Sequence, residues 1–456
     1  MDSLEYCAAC LDFVADCRLF IGLPVKSQLS QQKESGDVNQ KKESDIDYGV
    51  TATLDQLDPI EALGVLRNNF DTLVDKMRRA SAPPTGTARF PLSVKLSEAA
   101  ELLGRSTNTV RIMADELGIG PQDKEERRLF TPQDLARIRH EKRIEPLPPK
   151  GASPFVLVVS NQKGGVGKTT TSTNLVQDLA TRGYRVLIID MDPQASMTSA
   201  WLLRDDEGNI VPAGTGVEGP MDTAAPVLIG ESLTFDAIIR RTHWENVDIV
   251  PAHPDLSEGG LQMVQLYADG KRDFWVGFKD ACQALEKDKY DVVVVDTAPS
   301  LWLDAVEIAL AADALLVPVP ARNLDIESCR AFVSTMHVWL SQLSERMPVK
   351  LRWLRFMMTQ RIANSTSELK NEALLKSHLG PMLLNSRVPR MEALERSSGA
   401  NPSVFEEQIK QESRNATRNA TRSAGEARTG LRIVHNEIIE LIAKSWEQEA
   451  KSRASQ

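Results

Sequence analysis

The stretch Val156-Leu157-Val158-Val159-Ser160 runs directly into Asn161-Gln162-Lys163-Gly164-Gly165-Val166-Gly167-Lys168-Thr169-Thr170, and a helical pattern follows from Thr171 to Ala180. An apolar β-branched run, a glycine-rich loop and a helix, in that order, form the context a phosphate-binding loop requires. The glycines let backbone N–H groups turn inward around phosphate oxygens, and the helix N-terminus adds its partial positive charge. Lys168 can reach the β and γ phosphates as a point charge, and the Thr169 hydroxyl can ligate Mg2+. The expected nucleotide-binding residues are therefore Lys163, Gly164, Gly165, Val166, Gly167, Lys168, Thr169 and Thr170.

Outward from this loop, short β-branched runs alternate with helical stretches. The runs are 155–160, 185–190, 247–250, 291–296, 314–319 and 351–358. Runs this apolar, without alternation, suit strands buried on both faces, as in a mostly parallel sheet with helices on each side. The expected fold is α/β, a P-loop ATPase domain over 151–456 ending in a C-terminal helix. The stretch 204–231, with several glycines and acids and no period, reads as a surface insertion.

The 456 residues allow two or three domains. Net charge is −9, so a nucleic-acid surface must be a local patch. Cys7, Cys10, Cys17, Cys282 and Cys329 are an odd, sparse set that fits a reducing cytoplasm better than a disulfide framework. No segment has the roughly 18 apolar residues of a membrane span, and no signal peptide is read. Residues 1–25 are expected to hold an amphipathic helix and 26–58 a polar linker. Cys7 and Cys10 form a C-x-x-C; without a second ligand pair, two small apolar residues on a helix is the favoured reading over a metal or redox site. Residues 59–81 carry Ile60, Leu63, Leu66, Phe70, Leu73, Val74 and Met77 at helical spacing. That helix either pairs with a copy of itself or packs on its own next domain.

The P-loop departs from the general pattern in an informative way: Gln162 stands where glycine is expected, and a second lysine, Lys163, opens the loop. Here the sequence resembles the deviant-Walker ATPases, which include ParA, Soj, MinD and the nitrogenase iron protein. The resemblance implies that Lys163 reaches across a nucleotide-sandwiched homodimer to the partner's ATP. Val186-Leu187-Ile188-Ile189-Asp190-Met191-Asp192-Pro193-Gln194 looks like the family's switch I, which implies that Asp192 orients the attacking water and Asp190 supports the metal shell. Tyr290-Asp291-Val292-Val293-Val294-Val295-Asp296-Thr297-Ala298-Pro299 looks like Walker B and switch II, with Asp296 holding Mg2+ through water. The implied catalytic set is Lys163, Lys168 and Asp192, and the implied metal set Thr169, Asp296 and Asp190. Asp192-Pro193-Gln194 and residues 315–320 are similar to the ParA branch. The polar C-terminus lacks the membrane-targeting helix of the MinD branch, and Cys282 and Cys329 do not match the cluster ligands of the iron protein. Where the ParA branch usually carries a tyrosine-containing loop, residues 358–363 read Met-Thr-Gln-Arg-Ile-Ala, which leaves the adenine contacts open.

Residues 88–145 read as a winged helix-turn-helix. Ser97 is expected to cap a first helix with Ala100 and Leu103 facing inward. Gly104 permits the turn, Ser106 caps the second helix and Val110 packs back. Thr107, Asn108 and Arg111 would then project from a recognition helix, and Arg127 and Arg128 look like the basic wing of a MerR-like unit. Residues 88–143 hold 11 Lys/Arg against 9 Asp/Glu; a small helical domain for protein contacts is the alternative. Near the C-terminus Arg414, Arg418 and Arg422 recur every four residues, which places them on one helical face. They are candidates for non-specific phosphate contact, against a merely solvated helix face. Arg390 matches a ParA position implicated in DNA binding. Ile433, Val434, Ile438, Leu441 and Ile442 form an apolar face for docking on the core.

The resemblance implies a cytoplasmic, nucleoid-associated partition ATPase that uses ATP and Mg2+, dimerises on DNA, is stimulated by a ParB-type partner and represses its own operon. It implies no membrane partner. The competing reading is a nucleotide-sensing transcriptional repressor.

Overall fold

The computed structural model describes residues 89–455 except 92, 121–127, 205–209, 212–221, 269–276, 300–302, 345–348, 363–364, 392–393, 395–402 and 409–413. The expected helices at 1–25 and 59–81, the linker between them, Cys7, Cys10 and Arg127 lie outside the described residues.

Strands β1 (Arg89–Pro91), β2 (Val94–Lys95) and β3 (Leu129–Phe130) accompany helices α1 (Leu96–Leu102), α2 (Thr107–Glu116) and α3 (Pro132–Glu141). β2 and β3 pair antiparallel, and Val94, Leu103, Val110, Phe130, Leu135 and Ile138 close a small core of their own. Gly104, at φ +61°, makes the turn between α1 and α2. The Ser106 hydroxyl accepts from the Thr109 N–H, so it caps α2. Ser97 does not cap α1: the helix begins at Leu96, and Lys95 occupies the cap position without a side-chain bond. Pairing of Val94-Lys95 with Leu129-Phe130 carries the chain directly into the helix, two residues earlier than the capping signal suggested.

The larger α/β unit follows. Its elements are β4 (Phe155–Val159), α4 (Lys168–Thr181), β5 (Val186–Met191), α5 (Ser196–Trp201), β6 (Leu203–Arg204), β7 (Ile210–Val211), α6 (Ala225–Ile229), β8 (Arg240–Arg241), β9 (Val247–Val250), α7 (Leu256–Ala268), α8 (Gly277–Ala284), β10 (Val292–Thr297), α9 (Leu303–Ala311), β11 (Ala314–Pro320), α10 (Asn323–Ser344), β12 (Trp353–Arg361), α11 (Thr366–Leu379), β13 (Leu383–Pro389), β14 (Glu406–Gln408) and α12 (Arg414–Ala454). Eight strands form one sheet in the order β13-β12-β11-β4-β10-β5-β9-β8, all parallel except the β8–β9 pair. The central strands β4, β5, β10 and β11 are buried along their whole length. This is why their sequences are continuous apolar runs. The outer strands β8 and β13 are only partly buried and carry Arg240-Arg241 and Asn385-Ser386-Arg387, so no apolar run announced them.

α4 packs against the sheet, α3 and α12, and twelve of its fourteen residues are buried. Val434, Ile438 and Ile442 of α12 are fully covered and join the main core, whereas Ile433, expected on the same face, is 57% exposed. Successive helical residues are about 100° apart, so Ile433 and Val434 cannot share one narrow stripe. Cys282 and Cys329 are buried free thiols. No helix among the described residues is long and apolar enough to cross a membrane.

Candidate functional site

The carboxyl ends of β4, β5, β10 and β12 meet at one edge of the sheet, where ligands bind in open α/β folds. β4 delivers the chain into Ser160–Gly167, and Gly165 (φ +70°) and Gly167 (φ +95°) adopt left-handed conformations that open it into a loop. α4 then starts at Lys168.

The two loop lysines part company. Lys168 is buried, and its ammonium donates to the Lys163 carbonyl at 3.2 Å. Burial lowers its pKa, opposed by the charges of Asp296 and Asp192. Lys163 instead keeps 34% of its side chain exposed, with Nζ 2.7 Å from Asp325 Oδ1. Asp325, in the first turn of α10, also accepts from Arg322 Nε at 2.6 Å. The Asn161 amide donates to the Pro318 carbonyl and accepts from the Lys163 N–H, which secures the start of the loop.

β10 ends on the second part of the site. Asp296 is fully buried. Its Oδ2 accepts from the Thr169 hydroxyl at 2.7 Å and its Oδ1 from the Ser172 hydroxyl at 2.9 Å. In register beside it on β5 lies Asp190. Burial, and then the neighbouring Asp190 charge, push the Asp296 pKa up to about 7. Burial likewise raises Asp190 to about 6, against hydrogen bonds from Thr198 and the Asp192 N–H. Both Asp190 oxygens are engaged: Oδ1 by the Asp192 N–H, and Oδ2 by the Thr198 N–H and hydroxyl. Asp190 thus shapes the site through its charge and the turn it braces. Asp192 accepts from the Gln194 N–H at 2.9 Å, within that turn. Pro299 of the segment after β10 comes up to Gly164, whose added Cβ would meet the proline Cβ at 3.9 Å.

From the other side β12 reaches over the loop. The Thr359 hydroxyl donates to the Val166 carbonyl at 2.8 Å, and the Gln360 amide to the Gly165 carbonyl at 2.7 Å. Sequence reading had not singled out Ser172, Thr198, Arg322 or Asp325 at all. Thr198, Arg322 and Asp325 join this site through the fold, far from the loop in sequence, whereas Ser172 lies four residues past Lys168, one turn along α4.

On the helix-turn-helix, Thr107, Asn108 and Arg111 are all exposed, and Arg111 donates to Asn108. Arg128 turns back to Asp115, at 2.6 Å, and to the Arg111 carbonyl. The unit is docked on the α/β core. Arg139 of α3 is buried and donates to the carbonyls of Arg182, Ile144 and Leu102, with its guanidinium 4.5 Å from the Tyr184 ring centre. His140 lies 3.0 Å from buried Asp291 at the foot of β10. Arg432 of α12 bridges Glu98 of α1 and Asp178 of α4. Arg414, Arg418 and Arg422 all fall on α12, and Arg422 is exposed and paired with Glu426 at 3.0 Å. Arg390 is exposed at the end of β13, its N–H bonded to the Arg361 carbonyl.

A phosphate loop at a switch point of a parallel sheet, with a buried lysine, a second lysine at the mouth and aspartates on the two neighbouring strands, defines a P-loop NTPase of the deviant-Walker type. The family model for an AAA domain matches residues 155–349, and that for MerR HTH family regulatory proteins matches residues 94–143. The chain is 32% identical to the chromosome partitioning protein ParA of Caulobacter vibrioides, over 52% of this chain and 80% of that protein. It is 29% identical to the protein SopA of Escherichia coli K12, over 77% of this chain and 89% of that one. A solved partition protein, 20% identical, shares the fold over 75% of this chain and 95% of its own, with a TM-score of 0.51. The chain belongs to the ParA family of partition ATPases.

Proposed function

We propose that the protein is a DNA-partition ATPase that binds ATP with Mg2+ and closes into a nucleotide-sandwiched homodimer on non-specific DNA. Hydrolysis is stimulated by a ParB-type centromere-binding partner, and the dimer then comes apart. The observation that carries this reading is the divergence of the two loop lysines. Lys168 is folded into its own loop, where it can neutralise the β and γ phosphates. Lys163 stands at the open mouth, held by Asp325 rather than by anything in its own phosphate cradle. An ammonium there can serve the nucleotide of a second copy.

Thr169 and Asp296 offer an all-oxygen donor pair, which suits Mg2+ bound by few protein ligands plus phosphate and water. Burial, and after it the neighbouring Asp190 charge, raise the pKa of Asp296, and a divalent cation beside it would favour the charged carboxylate. When bound, Mg2+ supplies charge neutralisation between the β and γ phosphates. Asp190 contributes charge behind the metal shell, and Asp192, on the turn that follows β5, orients the attacking water. The exposed Thr107, Asn108 and Arg111 support a second activity on the same chain, operator binding that represses its own operon.

The test measures mass in solution by light scattering, with ATP and with ADP, for the unaltered protein and Lys163→Ala. Dimer only with ATP, lost in Lys163→Ala while ATP still binds, is expected. ATP-dependent dimerisation that survives the substitution removes Lys163 from the interface. ATPase turnover unaffected by DNA and by the partner would favour a nucleotide-sensing repressor instead.

A further inference from the structure

The phosphate loop is gripped from outside by the end of β12, through two side chains to which no role in nucleotide binding is assigned above. Thr359 is buried, and its hydroxyl donates to the Val166 carbonyl at 2.8 Å. Gln360 donates its amide N–H to the Gly165 carbonyl at 2.7 Å, and its amide oxygen accepts from Arg322 Nη2 at 3.2 Å. Gln360 holds this position at φ +52°, a backbone conformation disfavoured for a residue with a side chain. A Cβ added to Gly167 would meet both the Gln360 amide nitrogen and the Thr359 Cβ at 3.9 Å, so β12 lies in van der Waals contact with the loop.

A peptide unit is planar and trans, so its C=O and N–H point to opposite sides. Holding the Gly165 carbonyl toward β12 turns the Val166 N–H away from β12. Holding the Val166 carbonyl does the same to the Gly167 N–H. These are two successive amides just ahead of Lys168, in the segment that must cradle phosphate. Gly165 and Gly167 leave the loop free to flip those peptides, since glycine populates both signs of φ with little penalty. The orientation therefore has to be imposed from elsewhere, and β12 imposes it.

We propose that Thr359 and Gln360 are positioning residues that preset two consecutive P-loop peptides with their N–H groups facing bound phosphate. The proposal rests on the ATP-binding reading and deepens it. It also extends to the first half of the loop, because Arg322 joins Gln360 to Asp325, which holds Lys163.

The competing role for residues at this end of β12 is contact with the adenine base, and nucleotide choice separates the two. Binding of ATP–Mg2+ and GTP–Mg2+ is measured by titration calorimetry on the full chain carrying Thr359→Val, Thr359→Ser or Gln360→Glu. Thermal unfolding of each variant reports folding. Thr359→Val and Gln360→Glu are each expected to weaken ATP and GTP by the same factor, about tenfold, the scale of one lost hydrogen bond. Thr359→Ser keeps the hydroxyl and should stay within about twofold of the unaltered chain, a rescue that a lost methyl contact would not give. A changed ATP-to-GTP ratio would assign these residues to the base and overturn the proposal, as would unchanged affinity in Thr359→Val and Gln360→Glu. Equal losses in Thr359→Val and Thr359→Ser would also overturn it. If Thr359→Val fails to fold, Gln360→Glu decides, since that side chain is only half-buried. An unaltered protein that binds neither nucleotide would sink the ATP-binding reading itself, a different result from any of these.

Discussion

Lys163 Nζ sits 2.7 Å from Asp325 Oδ1, joining the first residue of the glycine-rich run to the first turn of α10 within one subunit. Asp325 is 2% exposed and Lys163 34%, so the pair is anchored on the acid and open on the base. If Lys163 must swing to a second copy, this ion pair is what it leaves behind. Asp325→Asn should therefore tighten the ATP-dependent dimer by up to about fivefold, because half-exposed ion pairs contribute roughly 1 kcal/mol or less. Sedimentation equilibrium in ATP reads the effect. A weaker dimer would mean that Asp325 orients Lys163 for its partner and does not restrain it.

The dock between the helix-turn-helix and the core turns on a glycine. Gly183, at φ +85°, lies so close to α3 that an added Cβ would come within 2.6 Å of the Leu135 carbonyl. Gly183→Ala should cost more than about 1 kcal/mol, because alanine is strained at positive φ and backbone has no room to yield. Arg139→Met should act at the same joint by leaving three carbonyls without their donor. Both variants should speed proteolytic cleavage between residues 143 and 155. Cleavage at the unaltered rate would show that the joint holds without either residue.

Asp178 carries the clearest pH signature. It is fully buried, accepts from His435 Nδ1 at 3.0 Å and Arg182 Nη2 at 3.1 Å, and faces Arg432 Nε at 3.4 Å. Burial alone would raise its pKa, but His435 and Arg182 outweigh burial and hold it well below the usual carboxylate range. A depressed pKa in the folded state contributes stability above the unfolded value, near 4, and loses it as pH falls below that. Asp178→Asn should destabilise the protein by about 3 kcal/mol at neutral pH, since it removes the buried carboxylate that pairs the half-buried guanidinium groups of Arg182 and Arg432. The gap between the two proteins in urea unfolding should stay constant from pH 7 to about 4 and close only below. A gap that shrinks between pH 7 and 5 would show that the Asp178 carboxylate is not the group that sets the pH dependence.

The arginine stripe of α12 makes a prediction in salt. Replacing Arg414, Arg418 and Arg422 with Glu should weaken ATP-dependent binding to random duplex DNA. If each arginine meets one phosphate, the slope of log affinity against log salt should fall by about 2.7, at about 0.9 per contact. An unchanged slope would return the stripe to an ordinary solvated helix face.

The nucleotide site was legible in part because its chemistry is local. Strand, glycine loop and helix N-terminus are consecutive, so Lys168 and Thr169 are placed by a spacing that reads directly off the chain. Asp296 and Asp190 were legible because buried parallel strands leave continuous apolar runs, and a carboxylate that ends such a run has to sit at the sheet edge. The arrest of Lys163 on Asp325 and the grip of Thr359 and Gln360 left no such mark. The partners lie 162 and about 195 positions apart, and the strand order brings β12 to within one intervening strand, β11, of β4, which carries the loop.

The sequence by itself therefore determined the phosphate loop, the parallel sheet and the separate helix-turn-helix, since each depends on periodicity or spacing within a few tens of residues. Only the tertiary structure decided where Lys163 rests, which peptides of the loop are held, and that the helix-turn-helix is docked through Arg139, His140 and Glu98 rather than tethered. Those are matters of strand order and helix packing, which bring together side chains whose distance along the chain carries no information about their distance in space.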